Sequence, residues 1–136
     1  MDGTHFVTDY GKWMMRDPEC VIGSVEQALV GVFKFEQLGV VGWPETEFFG
    51  PRGWEHINQF GLVKCLPDDG PYVRIAHAKQ ELGEGFPVAH DPISFGGYSS
   101  VWDVAHNDNL RRYLDGWCLD ASILLNAGRL VALRLA

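Results

Sequence analysis

Ile123-Leu124-Leu125-Asn126-Ala127-Gly128-Arg129-Leu130-Val131-Ala132-Leu133-Arg134-Leu135 is the stretch on which the fold class turns. It fits two patterns. Two apolar runs around Asn126-Ala127-Gly128 fit a hairpin with a three-residue glycine turn. Ile123, Ala127, Leu130 and Val131 also fall on one helical face, and Ala and Leu favour helix. Gly128 sits badly in a helix interior, so the hairpin is preferred. Its apolar density predicts a central, buried position.

Upstream, Leu62 to Leu66 and Pro71 to Ala76 read as a second pair of strands. Between them, Pro67-Asp68-Asp69-Gly70 places proline first and glycine last, as a tight turn requires. Helices are expected elsewhere. Ser24 to Leu38 opens with a Ser24/Gln27 capping box and carries Val25, Ala28, Leu29, Val32 and Phe35 at helical spacing. Gly39 would end it in the left-handed conformation. Val32, Phe33 and Phe35 are poor helix formers, so its end could instead be extended. Trp54 to Phe60 fits a short helix with Trp54, Ile57 and Phe60 three apart. Ser100 and Asp103 repeat the capping pattern before Val101, Trp102, Val104 and Ala105, and Asp108 could cap a second short helix carrying Leu110, Tyr113 and Leu114. His77 to Leu82 suits one helical turn, and residues 1 to 16 a short strand or arm ending near Asp17-Pro18. The class is α+β: one domain over 1–136, with a mainly antiparallel sheet and two to four short helices.

At 136 residues, with 46% hydrophobic residues, the chain can bury one core without disulfide or metal staples. The net charge of −7 disfavours phosphate and nucleic acid, and the basic residues are scattered. A short helix followed by two strands has the order of a winged helix, but Asp68-Asp69 at the wing tip would face phosphates. Cys20, Cys65 and Cys118 form no CxxC pair, which points to a reducing compartment and away from zinc. No signal peptide or membrane-spanning run is legible. The expected place is the cytoplasm, of its own or of a host cell. Gly83-Glu84-Gly85 and Gly96-Gly97 make no phosphate loop. No cofactor or metal is expected.

The candidate chemistry falls into two groups. His90-Asp91 and Asp103-x-x-His106 could pair carboxylates with imidazoles for acid–base work. Asp103 and His106 would share one face of a helix. The second group comes from the aromatic excess between residues 42 and 103, which is broken repeatedly by Gly and Pro. Glu45, Glu47, Phe48 and Phe49 on the loop 44–53, with Trp54 just after it, combine aromatic anchors and acidic charge. Asp68, Asp69 and Tyr98 lie at other turns. Phe60 and Trp102, with regular spacing around them, are assigned to the core. Exposed aromatics beside carboxylates suit a protein partner with a basic surface.

The favoured reading is a small acidic protein-binding module rather than an enzyme. Inhibitors, immunity proteins and phage-encoded antagonists that occlude a basic surface belong to that class. The alternatives are a small hydrolase or transferase using His90, Asp91, Asp103 and His106, and a structural assembly subunit. The sequence leaves the oligomeric state open.

Overall fold

A computed structural model of the chain describes residues 5–7, 29–67, 69–76, 84–95, 97–106 and 112–136. Within them the order is β1 (His5–Val7), β2 (Val30–Lys34), α1 (Phe35–Leu38), α2 (Glu45–Phe48), α3 (Pro51–Asn58), β3 (Leu62–Val63), α4 (Asp69–Ala76), β4 (Gly85–Pro87), β5 (Ile93–Phe95), β6 (Tyr98–His106), β7 (Arg112–Cys118) and β8 (Leu130–Leu135). The architecture is mixed α+β, with two mainly antiparallel sheets and short helices, as the sequence predicts.

Residues 123–135 meet only half of the hairpin expectation. Leu130–Leu135 is indeed a strand, and it is central. Its partners are β2, in register from Val30↔Arg134 to Lys34↔Leu130, and β3, through Leu62↔Leu135 and Val63↔Arg134. Ile123–Leu125 is not its hairpin arm; Leu124 instead bridges Pro44. Burial explains the choice. Val131 and Leu133 enter one hydrophobic core, and Ala132 enters a second on the opposite face. A strand apolar on both faces belongs inside a layered structure.

The predicted Ser24–Leu38 helix is corrected over its described part. Val30, Val32 and Phe33 prefer a pleated surface and form β2. Only Phe35–Leu38 is helical, and Gly39 closes it at φ 70° as expected. The helix at Trp54 begins earlier, with Pro51 in its first turn. Pro71–Ala76 is helix rather than strand. The Asp69 carboxylate accepts the Leu66 N–H at 2.7 Å, and the Asp69 N–H donates to the Leu66 carbonyl at 2.9 Å. That local turn leads into a helix whose first turn tolerates Pro71. With no second strand there, the winged-helix order is absent from the described residues.

Residues 98–118 carry the other correction. The helices expected near Ser100 and Tyr113 are β6 and β7, paired from Ser100↔Cys118 to His106↔Arg112. Val101, Trp102 and Val104 outweigh the capping pattern once a partner strand is available. The boundary expected at Asp17-Pro18, the turn expected at His77–Leu82 and the cap expected at Asp108 lie outside the described residues.

The first sheet runs β1-β7-β6-β4, with β5 also on β6; β1 and β7 are parallel. The second runs β2-β8-β3. Residues 88–90 stitch the two together. Val88 N–H donates to the Trp102 carbonyl at 2.8 Å, Ala89 N–H to Ala132 at 3.0 Å, and Cys65 N–H to Ala89 at 2.6 Å.

Helices α2 and α3 meet so closely at buried Gly53 that a Cβ there would collide with the Phe48 carbonyl. Gly53→Ala is expected to cost about 1–3 kcal/mol through forced backbone movement. Gly128→Ala, whose Cβ meets nothing within 4 Å, should be neutral. Urea denaturation of the two variants checks the contrast.

Candidate interaction face and carboxylate pair

The loop expected at 44–53 is two helical turns, and this reverses the exposure of its aromatics. Phe48 ends α2, and Phe48 and Phe49 are 0% and 3% exposed. Their rings pack edge-on to each other, and Phe48 meets Phe35 at 5.2 Å. Both belong to the first core with Leu38 and Ile57. Glu45 is buried too; its Oε1 accepts the Asp120 N–H at 3.1 Å, and burial pushes its pKa up. Asp69 is also buried, bonded to Arg134 at 3.1 Å. Glu45, Phe48, Phe49 and Asp69 therefore do not present a surface. Asp68 lies outside the described residues.

Three candidates of that group remain accessible. Glu47 is exposed and pairs with Arg52. Trp54 is half-buried, and its indole N–H donates to Asp91 Oδ1 at 3.0 Å. Tyr98 opens β6 and is 62% exposed.

His90, Asp91, Asp103 and His106 are not brought together. His90 is fully buried, and its Nε2 accepts the Trp102 N–H at 3.0 Å. Its Nδ1–H then donates to the Asp91 carbonyl at 2.8 Å, which fixes a neutral tautomer. Burial lowers its pKa to about 4. The Asp91 carboxylate serves Trp54 and Lys64 instead of a ring, Lys64 Nζ donating at 2.7 Å. Asp103 and His106 are three apart on a strand, so they point to opposite faces. His106 lies four residues beyond Trp102, about 13 Å along the strand.

What the strand does create is a carboxylate pair. Asp103 on β6 lies directly opposite Asp115 on β7, a separation at which side chains interact strongly. Burial first, and the Asp115 charge second, push the Asp103 pKa up to about 7; Arg129 and Arg74 pull the other way. Arg129 rests on the Trp117 ring, 3.8 Å from its centroid. It also attracts Glu45. The thiol of buried Cys65 is pushed up to about 12, chiefly by burial, and is no nucleophile at neutral pH.

The exposed face lies away from the segments singled out by sequence. Gly42 N–H donates to Leu125 at 2.8 Å, Leu125 N–H to Trp43 at 2.9 Å, and Glu45 N–H to Ile123 at 2.9 Å. These bonds make a small antiparallel ribbon of residues 42–45 and 123–125. Val41, Ile123 and Leu124 are 50%, 42% and 58% exposed along it. Beside it runs an aromatic strip. The Arg52 guanidinium covers Trp43 at 3.9 Å, Trp43 meets His56 at 5.0 Å, and His56 meets Phe60 at 5.7 Å. Phe60, assigned to the core from its spacing, is 47% exposed. Arg52, His56 and Phe60 recur every four residues, a helix-face signal that could have been read from sequence. The ribbon could not, because its arms are about 80 residues apart. Exposed Glu47, paired with Arg52, and exposed Asp120, whose N–H donates to Glu45, adjoin the ribbon.

Among the described residues no helix is long and apolar enough to cross a membrane, and no three His, Cys, Asp or Glu could hold a metal ion. Compared with known proteins, the chain matches no protein family, no curated protein and no solved structure.

Proposed function

We propose that the protein is a cytoplasmic binding module that occludes a basic, apolar-anchored surface of a protein partner. The observation that carries this reading is the run of exposed Val41, Ile123 and Leu124 beside the Arg52–Trp43 stack. Isolated exposed apolar residues need no explanation; three on or next to one short ribbon that also carries the Arg52-covered Trp43 do. Asp120 beside the ribbon, on a chain of net charge −7, favours a partner of opposite sign. Apolar contact would hold the complex, and the carboxylates would steer the encounter. An inhibitor or antagonist acts in this way, by covering rather than converting its target. The hydrolase alternative finds less support among the described residues, where His90, Asp103 and His106 face different surroundings.

Selection of displayed peptides against the purified protein tests the reading. Enriched peptides should combine Lys or Arg with bulky apolar residues. Leu124→Glu should weaken their binding at least tenfold, and Tyr98→Ser, at the start of β6, should not. Neutral or acidic peptides that bind both variants equally would sink the proposal. Sedimentation addresses the assembly alternative, which requires self-association.

A further inference from the structure

Among the described residues, the ribbon of 42–45 and 123–125 has one closed edge and one open edge. Leu124 faces Pro44, flanked by the Leu125–Trp43 and Glu45–Ile123 hydrogen bonds. At such an antiparallel position the backbone N–H and C=O point away from the partner arm. On the 42–45 arm that outward position is shut. Pro44 has no N–H, and its carbonyl accepts from Glu47 at 3.0 Å and Phe48 at 3.2 Å, where α2 begins. On the other arm Leu124 keeps both groups: among the described residues neither has a hydrogen-bond partner. Leu124 is 58% exposed, and Ser122 and Asn126, on the same edge, are exposed too. Folded proteins normally cover, bend or charge an edge of this kind. We propose that the Leu124 edge takes an extended, lysine- or arginine-bearing segment of the partner as a third strand of the ribbon.

The backbone sets the shape of the occupant. A helix spends its own N–H and C=O groups internally and has none for Leu124, whereas an extended chain offers them at every second residue. The side chains set its composition. Glu45 and Leu125 are buried, so one face of the ribbon lies on the body of the protein. Leu124 alternates with Leu125 and projects from the other face, where an apolar residue of an added strand would pack against it. Asp120 supplies the charge. The Ile123 N–H donates to the Asp120 carbonyl at 3.1 Å, which turns Asp120 in beside the arm. Its exposed carboxylate accepts from the Ser122 N–H and hydroxyl, both at 2.8 Å, and these bonds hold its pKa below the ordinary value. An anion held there attracts a cationic side chain further along the added strand. The same charge speaks against a second copy as occupant, since two chains of net charge −7 repel each other on approach. The added strand rests on the binding function proposed above and gives the bound segment its conformation.

The probe is a capped peptide of about eight alternating Lys and Val residues, within the ordinary length of a strand. It is added to the full chain, and amide exchange is followed by NMR. At saturation the Leu124 N–H should exchange about tenfold more slowly, because it gains a bond. Methylating the peptide nitrogens at every second residue should weaken binding about tenfold when that set faces Leu124, and little when the other set is methylated. A peptide of alternating Glu and Val should bind at least tenfold more weakly than the Lys and Val peptide. Absence of binding by the Lys and Val peptide, an unchanged Leu124 amide, or equal losses from the two methylated sets overturns the added strand. A dimer in sedimentation whose Leu124 amide is protected without peptide assigns the edge to a second copy and overturns it as well. Displayed peptides that lose affinity with Leu124→Glu yet leave the Leu124 amide unprotected sustain the binding function and sink the strand alone, so the two proposals fail separately.

Discussion

Asp69→Ala is expected to remove about 3–5 kcal/mol of stability, because it strands a largely buried arginine. Asp69 accepts from Arg134 Nε at 3.1 Å and Nη2 at 3.3 Å, in the forked geometry that suits guanidinium and carboxylate. Their side chains are only 11% and 18% exposed, so water replaces the lost partner poorly. The same carboxylate accepts the Leu66 N–H and so starts α4. One residue thus joins a helix start to the central strand β8. A loss of about 3–5 kcal/mol is a large share of the roughly 5–15 kcal/mol that holds a domain together. Asp69→Asn keeps an acceptor for Leu66 and should lose less. The double variant Asp69→Leu/Arg134→Met removes both charges and should recover most of the loss. Arg52→Ala breaks an exposed pair with Glu47 and should cost under about 1 kcal/mol. Urea denaturation orders the four. A loss below about 1 kcal/mol for Asp69→Ala, the range of exposed pairs, would show that water reaches Arg134 freely.

Asp69 also shows why part of this fold was hidden in the sequence. Pro67-Asp68-Asp69-Gly70 is a turn signal, and the Leu66–Asp69 bonds make a turn there. The type of the next element is decided by a partner 65 residues away, since Arg134 holds the Asp69 side chain at the start of a helix. Local pattern cannot carry that information. Helix or strand at Val101–Val104 was likewise settled by β7, not by the Ser100 and Asp103 spacing. Local chemistry did make some elements legible: the strand at Leu130–Leu135, the helix at Trp54, the left-handed Gly39. The site fared worse because its geometry depends on distant partners. Phe48 and Phe49 stand beside Gly50 and Pro51, which suggested an exposed loop. The glycine and proline instead let two short helices pack tightly, and the rings turn inward. Strand alternation then separated Asp103 from His106 and set Asp103 against Asp115, a pairing that only register reveals.

That pairing matters for the acid response, where two buried groups oppose each other. His90 falls from 6.5 to about 4 on folding. Its neutral ring is stabilising in full above pH 6.5. Between 6.5 and 4 the unfolded chain takes up a proton that the native state refuses, and stability falls. The drop is worth about 3 kcal/mol, at about 1.4 kcal/mol per tenfold change in proton affinity. Asp103 has the opposite sign. Its pKa rises from 3.8 to about 7, so its contribution is largest at low pH and is lost as pH climbs through that window. Glu45, also raised, adds to Asp103. The intact protein should consequently show a shallow profile between pH 4 and 6.5, with the two effects concealing each other. Asp103→Asn removes the opposing carboxyl and should uncover the histidine as a fall of about 3 kcal/mol across that range. Adding His90→Gln should flatten the fall again, at the cost of lower stability at neutral pH, because the Trp102 N–H loses its ring acceptor. Comparing the slopes of the single and double variants cancels every other titrating group. If both backgrounds lose stability equally between pH 6.5 and 4, His90 is charged in the native state, and no neutral ring bridges Trp102 to Asp91.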